Sequence, residues 1–119
     1  LAALYDQMKK PEKSVLQLKK LAIETPKDPV VRNNIGFLLS QSGKLDEAIK
    51  WYRESIKIWE KYPNAYYNLA EALEKKGKHA EAIINFEMCI KLVPKSPRNA
   101  KTLERIKKLS ELKRKSERD

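Results

Sequence analysis

Apolar residues return at helical spacing along most of the chain, and prolines and glycines cut that pattern into segments. Leu1 to Lys9 reads as the end of one helix, stopped before Pro11, which suits the first turn of the next. From Glu12 to Glu24, Val15, Leu18, Leu21 and Ala22 predict a single apolar face. Pro26 and Pro29 end that segment. Asp28 before Pro29 is a start signal, a carboxylate to cap free amides and a ring that fits the first turn, for a helix running to about Gln41. Gly43 after Ser42 closes it, because glycine accepts the left-handed backbone that reverses the chain. Lys44 to Glu60 supplies the return helix, with Leu45, Ala48, Ile49, Tyr52 and Ile56 turned inward. Pro63 opens the next helix, Gly77 ends it, and His79 to Leu92 returns with Ala82, Ile83, Phe86 and Ile90 inside. Pro94 and Pro97 stop the pattern before a last helix from about Arg98 to Lys115. That helix keeps Leu103, Ile106 and Leu109, and its final residues from Lys113, with no apolar side chain, should fray.

The segments repeat one another. At an offset of 34 residues Asn34 falls on Asn68, Ile35 on Leu69, Gly36 on Ala70, Leu39 on Leu73, Gly43 on Gly77 and Lys44 on Lys78. Further on, Glu47 meets Glu81, Ala48 Ala82, Ile49 Ile83, Tyr52 Phe86, Ile56 Ile90 and Lys57 Lys91. The matched residues are small or apolar where packing demands it, so the period marks one structural unit stacked on a copy of itself. Gly36 and Ala48 leave room for two antiparallel helices to approach closely.

These residues carry a resemblance to the tetratricopeptide repeat, whose signature sets a large residue, Leu-Gly and an aromatic on the first helix and Ala, an aromatic and Pro on the second. One unit reads Tyr66, Leu69-Ala70, Leu73, Ala82, Phe86 and Pro94. The unit before it reads Arg32, Ile35-Gly36, Leu39, Ala48, Tyr52 and Glu60, departing from the pattern at Arg32 and Glu60. A partial first unit shows Ala2, Tyr5, Ser14, Leu18 and Pro26. The resemblance implies an all-α fold, a right-handed superhelical stack of antiparallel helix pairs with a C-terminal capping helix. Its divisions would be a partial repeat over 1–27, repeats over 28–61 and 62–95, and the capping helix with a basic tail over 96–119. Glu104 stands where Gly36 and Ala70 stand earlier, so the capping helix should receive no close-packed partner.

Composition narrows the function. A chain of 119 residues with 41% hydrophobic and 35% charged residues and three glycines has the profile of amphipathic helices with a limited core. No run has the length of a membrane span, and the sequence dictates no compartment, the cytoplasm serving as default. Cys89, the one cysteine, excludes an internal disulfide and reads as a small core residue, with no His or basic pair beside it in sequence. His79 stands alone beside a turn, no Gly-rich phosphate loop is present, and no His or Cys cluster has ligand spacing. The sequence therefore points to no enzyme, no metal and no cofactor. Glu71 and Glu74 are better read as a solvated face than as a cation site. The formal charge of +10 is concentrated at the end: residues 95–119 hold ten of the 26 basic side chains against four of the 16 acids.

In the family, the first helix of each pair lines a concave side, which makes this chain a candidate protein-binding scaffold for a peptide or partner segment. The residues expected there are Val30, Asn33, Phe37 and Ser40, then Asn64, Tyr67, Asn68, Glu71 and Glu74, then Arg98, Lys101, Arg105 and Lys108. Read in order they pass from apolar and amide groups through an acidic patch to a basic end, with Phe37 and Tyr67 as aromatic anchors. Some relatives grip the C-terminal carboxylate of chaperones with Lys and Asn. Here Asn68 has its place, but Asn33 stands for Lys, Phe37 for Asn and Thr102 for Arg, so that activity is not implied. Two other classes remain open. Lys107-Lys108 and Lys113-Arg114-Lys115 could hold nucleic acid or an anionic membrane, although no aromatic lies between Arg98 and Asp119 to stack on bases. An apolar flank at Leu1, Leu4 and Tyr5 could be covered by a second copy.

Overall fold

The computed structural model describes the backbone of residues 2–118 and the side chains of residues 12–118. Helices are the regular structure throughout the described residues: α1 (Ala2–Glu24), α2 (Pro29–Gln41), α3 (Leu45–Ile58), α4 (Pro63–Lys75), α5 (His79–Leu92) and α6 (Asn99–Arg118). The chain divides after Trp59 into two units. In the first, α2 packs on both α1 and α3; in the second, α5 packs on both α4 and α6.

The α2–α3 and α4–α5 hairpins are closed by the same backbone bonds 34 residues apart. Ser42 N–H donates to Leu38 O, Gly43 N–H to Ser40 O and Lys44 N–H to Leu39 O; Lys76, Gly77 and Lys78 donate to Ala72, Glu74 and Leu73 in the same way. Gly43 and Gly77 have φ of 83° and 79°, the left-handed conformation that a side chain disfavours. Asp28 caps α2, its carboxylate accepting from Val30 N–H at 2.9 Å and Val31 N–H at 3.4 Å. Pro63 occupies the first turn of α4, which has no side-chain cap.

Small residues bring the paired helices together. A β-carbon on Gly36 would lie 2.6 Å from a ring carbon of Tyr52 and 3.1 Å from Ala48 O. Ile35, Ala48 and Tyr52 are closed from solvent in the first unit, as are Ala70, Ala82 and Phe86 in the second. Ser55, fully buried, donates to Pro29 O at 2.7 Å and so ties the end of α3 to the start of α2.

Several expectations need correction. The backbone of α1 runs unbroken through Pro11. A proline removes one rung and strains its turn without ending a helix that is held by packing further along. Leu21 is 39% exposed and not core. On α6 the buried residues are Thr102 and Leu109, whereas Leu103 is 55% exposed. Thr102 is small enough to be covered and its hydroxyl donates to Arg98 O at 3.1 Å, so a polar residue takes the place hydrophobicity assigned to leucine. The helix continues to Arg118, with every side chain from Glu111 exposed. Arg32, read as a departure from the pattern, has a structural role. Its guanidinium donates to Ala22 O, Thr25 O and Asp28 O at 2.9–3.2 Å, satisfying carbonyls at the end of α1 and the turn after it.

Candidate interaction site

Two surfaces bear the residues named from sequence, one in each unit. In the second unit the leading helix α4 turns Tyr67, Glu71 and Glu74 toward α6, because positions four and three apart share a helix face. Arg105 on α6 reaches all three: Nη1 donates to the Tyr67 hydroxyl at 3.0 Å and to Glu71 Oε2 at 3.1 Å, and Nη2 to Glu74 Oε1 at 2.6 Å. Its guanidinium also lies 4.9 Å from the centre of the Phe86 ring. Arg98 stacks over Tyr67 at 4.5 Å, and Tyr67 meets Phe86 edge-on at 5.4 Å. Burial acts to lower the Arg105 pKa, but the hydrogen bonds and charges of Glu71 and Glu74 outweigh it and leave the group more firmly cationic.

The acidic patch and the basic end expected from sequence are thus partly one feature, because Arg105 is spent on Glu71 and Glu74. Tyr67 is half-buried and engaged on its hydroxyl, its face and its edge. Asn64, Arg98, Lys101 and Lys108 remain exposed, and Asn68 is half-buried and engaged within the fold. Arg98 also meets Cys89, a basic neighbour that sequence spacing did not reveal. Burial raises the thiol's pKa, and the charge and hydrogen bond of Arg98 offset this only in part. A thiol 3% exposed and held protonated is a packing residue.

In the first unit, α1 and α2 flank an open hollow of about 500 Å³ lined by Ser14, Gln17, Leu18 and Leu21 from α1 and Asn34, Phe37 and Leu38 from α2. Phe37 is 45% exposed and forms part of its wall. Asn33 lies instead in the core, 6% exposed and engaged there; Val30 is exposed and Ser40 half-buried. Of the residues lining this hollow, sequence reasoning named Phe37 and missed Ser14, Gln17, Leu18, Leu21, Asn34 and Leu38. The available signal was the apolar face of α1, which is wider than α2 covers. The flank at Leu1, Leu4 and Tyr5 lies outside the residues whose side chains are described. Among the described residues no group of three or more His, Cys, Asp or Glu is placed to hold a metal ion, and no helix is long and apolar enough to cross a membrane.

Helical hairpins closed by the same turn at a 34-residue period, with Gly36 against Tyr52 in the first and Ala70 and Phe86 buried at the matching places in the second, define a helix-hairpin repeat protein. Two family models match the sequence, one described as TPR repeat over residues 36–77 and one as Tetratricopeptide repeat over residues 63–96. The chain belongs to the tetratricopeptide repeat family, and its fold is the all-α solenoid of that family. Among curated proteins it is 28% identical over 125 residues to human Protein O-mannosyl-transferase TMTC1, a match spanning 98% of this chain and 14% of that protein. It is 27% identical over 89 residues to Photosystem I assembly protein Ycf3 of Prochlorococcus marinus, covering 66% of this chain and 51% of that one. Among solved structures, the type III secretion translocator chaperone SycD of Yersinia enterocolitica superimposes with a TM-score of 0.83 at 21% identity, over 95% of this chain and 81% of that one. The first TPR of Spaghetti (RPAP3), solved bound to the HSP90 peptide SRMEEVD, gives 0.81 at 19% identity, over 92% and 85%. The likeness to these structures is one of fold.

Proposed function

We propose that this chain is a non-catalytic protein-interaction module that holds a segment of a partner protein, with an apolar anchor seated in the hollow between α1 and α2. The observation that carries the reading is Phe37: a large aromatic left 45% exposed as the wall of a hollow of about 500 Å³, with leucines around it and Asn34, Gln17 and Ser14 beside them. Apolar walls with a few polar groups suit a side chain flanked by peptide amides. SycD has also been solved with a peptide of the translocator YopD, and Spaghetti with its HSP90 peptide, so the fold is used in this way elsewhere.

The test is a selection of random displayed peptides on the intact chain, followed by affinity measurement against Phe37→Ala. Enriched peptides should share an apolar anchor and lose about tenfold or more in affinity for the variant, whose helical circular dichroism should be unchanged. Peptides that bind parent and variant alike would move the site away from this hollow.

A further inference from the structure

α6 carries eight basic side chains against three acids, and most of that charge is not used within the fold. Arg105 is held by Glu71 and Glu74, and Lys113 lies 3.9 Å from Glu117. Lys101, Lys107, Lys108, Arg114, Lys115 and Arg118 are exposed, and none of them pairs with an acid among the described residues. At the helical repeat these six fall into two rows. Lys101, Lys108 and Lys115 recur every seven residues along one row; Lys107, Arg114 and Arg118 form the other, about 100° around the helix. Glu104 and Glu111 run between the rows. On the opposite side Thr102 and Leu109 are buried where α6 packs on α5. From Glu111 to Arg118 every side chain is exposed, so the end of α6 is clear of its neighbours.

This layout selects among polyanions. A flat anionic surface such as a membrane would meet the middle of the face first, where the two carboxylates stand. A helix lying in a membrane also needs an apolar face free to insert, and the buried side of α6 is engaged on α5. In a groove with phosphates along both walls, the flanks meet the charge and the middle meets the floor. The major groove of B-DNA, about 12 Å wide, admits a helix of about 10–12 Å diameter, and its floor offers the cytosine amino group as a donor to Glu. The major groove of A-form RNA is too narrow to be entered in this way. No aromatic side chain lies on α6 to stack on unpaired bases.

We infer that α6 is a second binding surface whose partner is double-stranded DNA, entered at the major groove, with the two cation rows on the phosphates of opposite strands and Glu104 and Glu111 toward the base edges. This surface belongs to the second unit and the hollow to the first, and neither reading depends on the other.

The test is fluorescence anisotropy of a short labelled DNA duplex titrated with the intact protein at several salt concentrations. Affinity should fall with salt at a log–log slope of about −5, as for six phosphate contacts. Lys107→Gln with Arg114→Gln, and separately Lys108→Gln with Lys115→Gln, should each make the slope shallower by about 2. Lys50→Gln with Lys57→Gln, two exposed positions on α3, should leave it unchanged. Helical circular dichroism of each pair should match the parent, since all six positions are exposed. An RNA duplex of the same sequence should bind about tenfold or more weakly at equal salt, as should vesicles of phosphatidylserine and phosphatidylcholine. A slope near zero overturns the inference, and so does an equal effect of the α3 pair. A loss confined to one row, or an RNA duplex bound as well as DNA, removes the groove. Vesicles bound more tightly than DNA would give the surface to a membrane instead.

Discussion

Gly36→Ala is the sharpest test of how closely α2 and α3 approach. Alanine at an unconstrained helix position should stabilise, since glycine in a helix interior costs roughly 0.5–1 kcal/mol relative to alanine. Here the new methyl would meet Tyr52 ring carbons at 2.6 and 2.7 Å and Ala48 O at 3.1 Å. Contacts below 3.0 Å require movement, and Tyr52 is 1% exposed, so its ring has no open side to move into. Overpacking of this kind costs about 1–3 kcal/mol, which exceeds the propensity gain. The expected net loss is about 1–2 kcal/mol, read as a fall of about 0.5–1 M in the urea midpoint followed by circular dichroism. The same substitution in a Tyr52→Leu background should cost less, because the obstructing ring is gone. A neutral or stabilising Gly36→Ala would refute the close approach and with it the physical reason for the repeat's small residue.

The other expectations concern single side chains. Arg32→Met keeps the aliphatic length but removes the guanidinium's hydrogen bonds to three carbonyls at the end of α1 and in the turn after it; it should lower stability by about 1–2 kcal/mol in the same urea assay, and an unchanged midpoint would remove Arg32 as a cap. Arg105→Ala should cost about 0.5–1 kcal/mol, modest because its side chain is 30% exposed. In a Glu71→Gln, Glu74→Gln background that cost should shrink; an equal cost in both would mean that packing on Phe86, not charge, holds α6. The Cys89 thiol has its pKa raised on folding, so the protonated form is favoured in the native state and stability should fall as pH rises past the ordinary thiol range. Alkylation of the native protein should accordingly be slow at neutral pH and become rapid in denaturant; fast native labelling would contradict its burial.

The sequence exposed the hairpins because their determinants are local. Asp28-Pro29, Gly43 and Gly77 act on their own turns, and the 34-residue period repeats residues whose reasons are the same in both copies. Errors arose where neighbours decide. Leu103 and Thr102 exchange their expected burial because one hydroxyl can bond to its own helix, and hydropathy has no access to that. Pro11 does not break α1, because its cost competes with packing elsewhere on the helix. At the candidate site, the signs of Glu71, Glu74 and Arg105 were legible, but their pairing across 31–34 residues was not. Arg32 departs from the repeat pattern in sequence, and its reason, the carbonyls of Ala22 and Thr25, lies on neighbouring segments that the pattern does not describe.

The most direct measurement of the central claim is amide chemical-shift mapping of the intact chain during titration with a selected peptide. The account predicts perturbations centred on Leu18, Leu21, Asn34, Phe37 and Leu38, residues that line the hollow. Perturbations confined to α5 and α6, with those five signals unmoved, would contradict it.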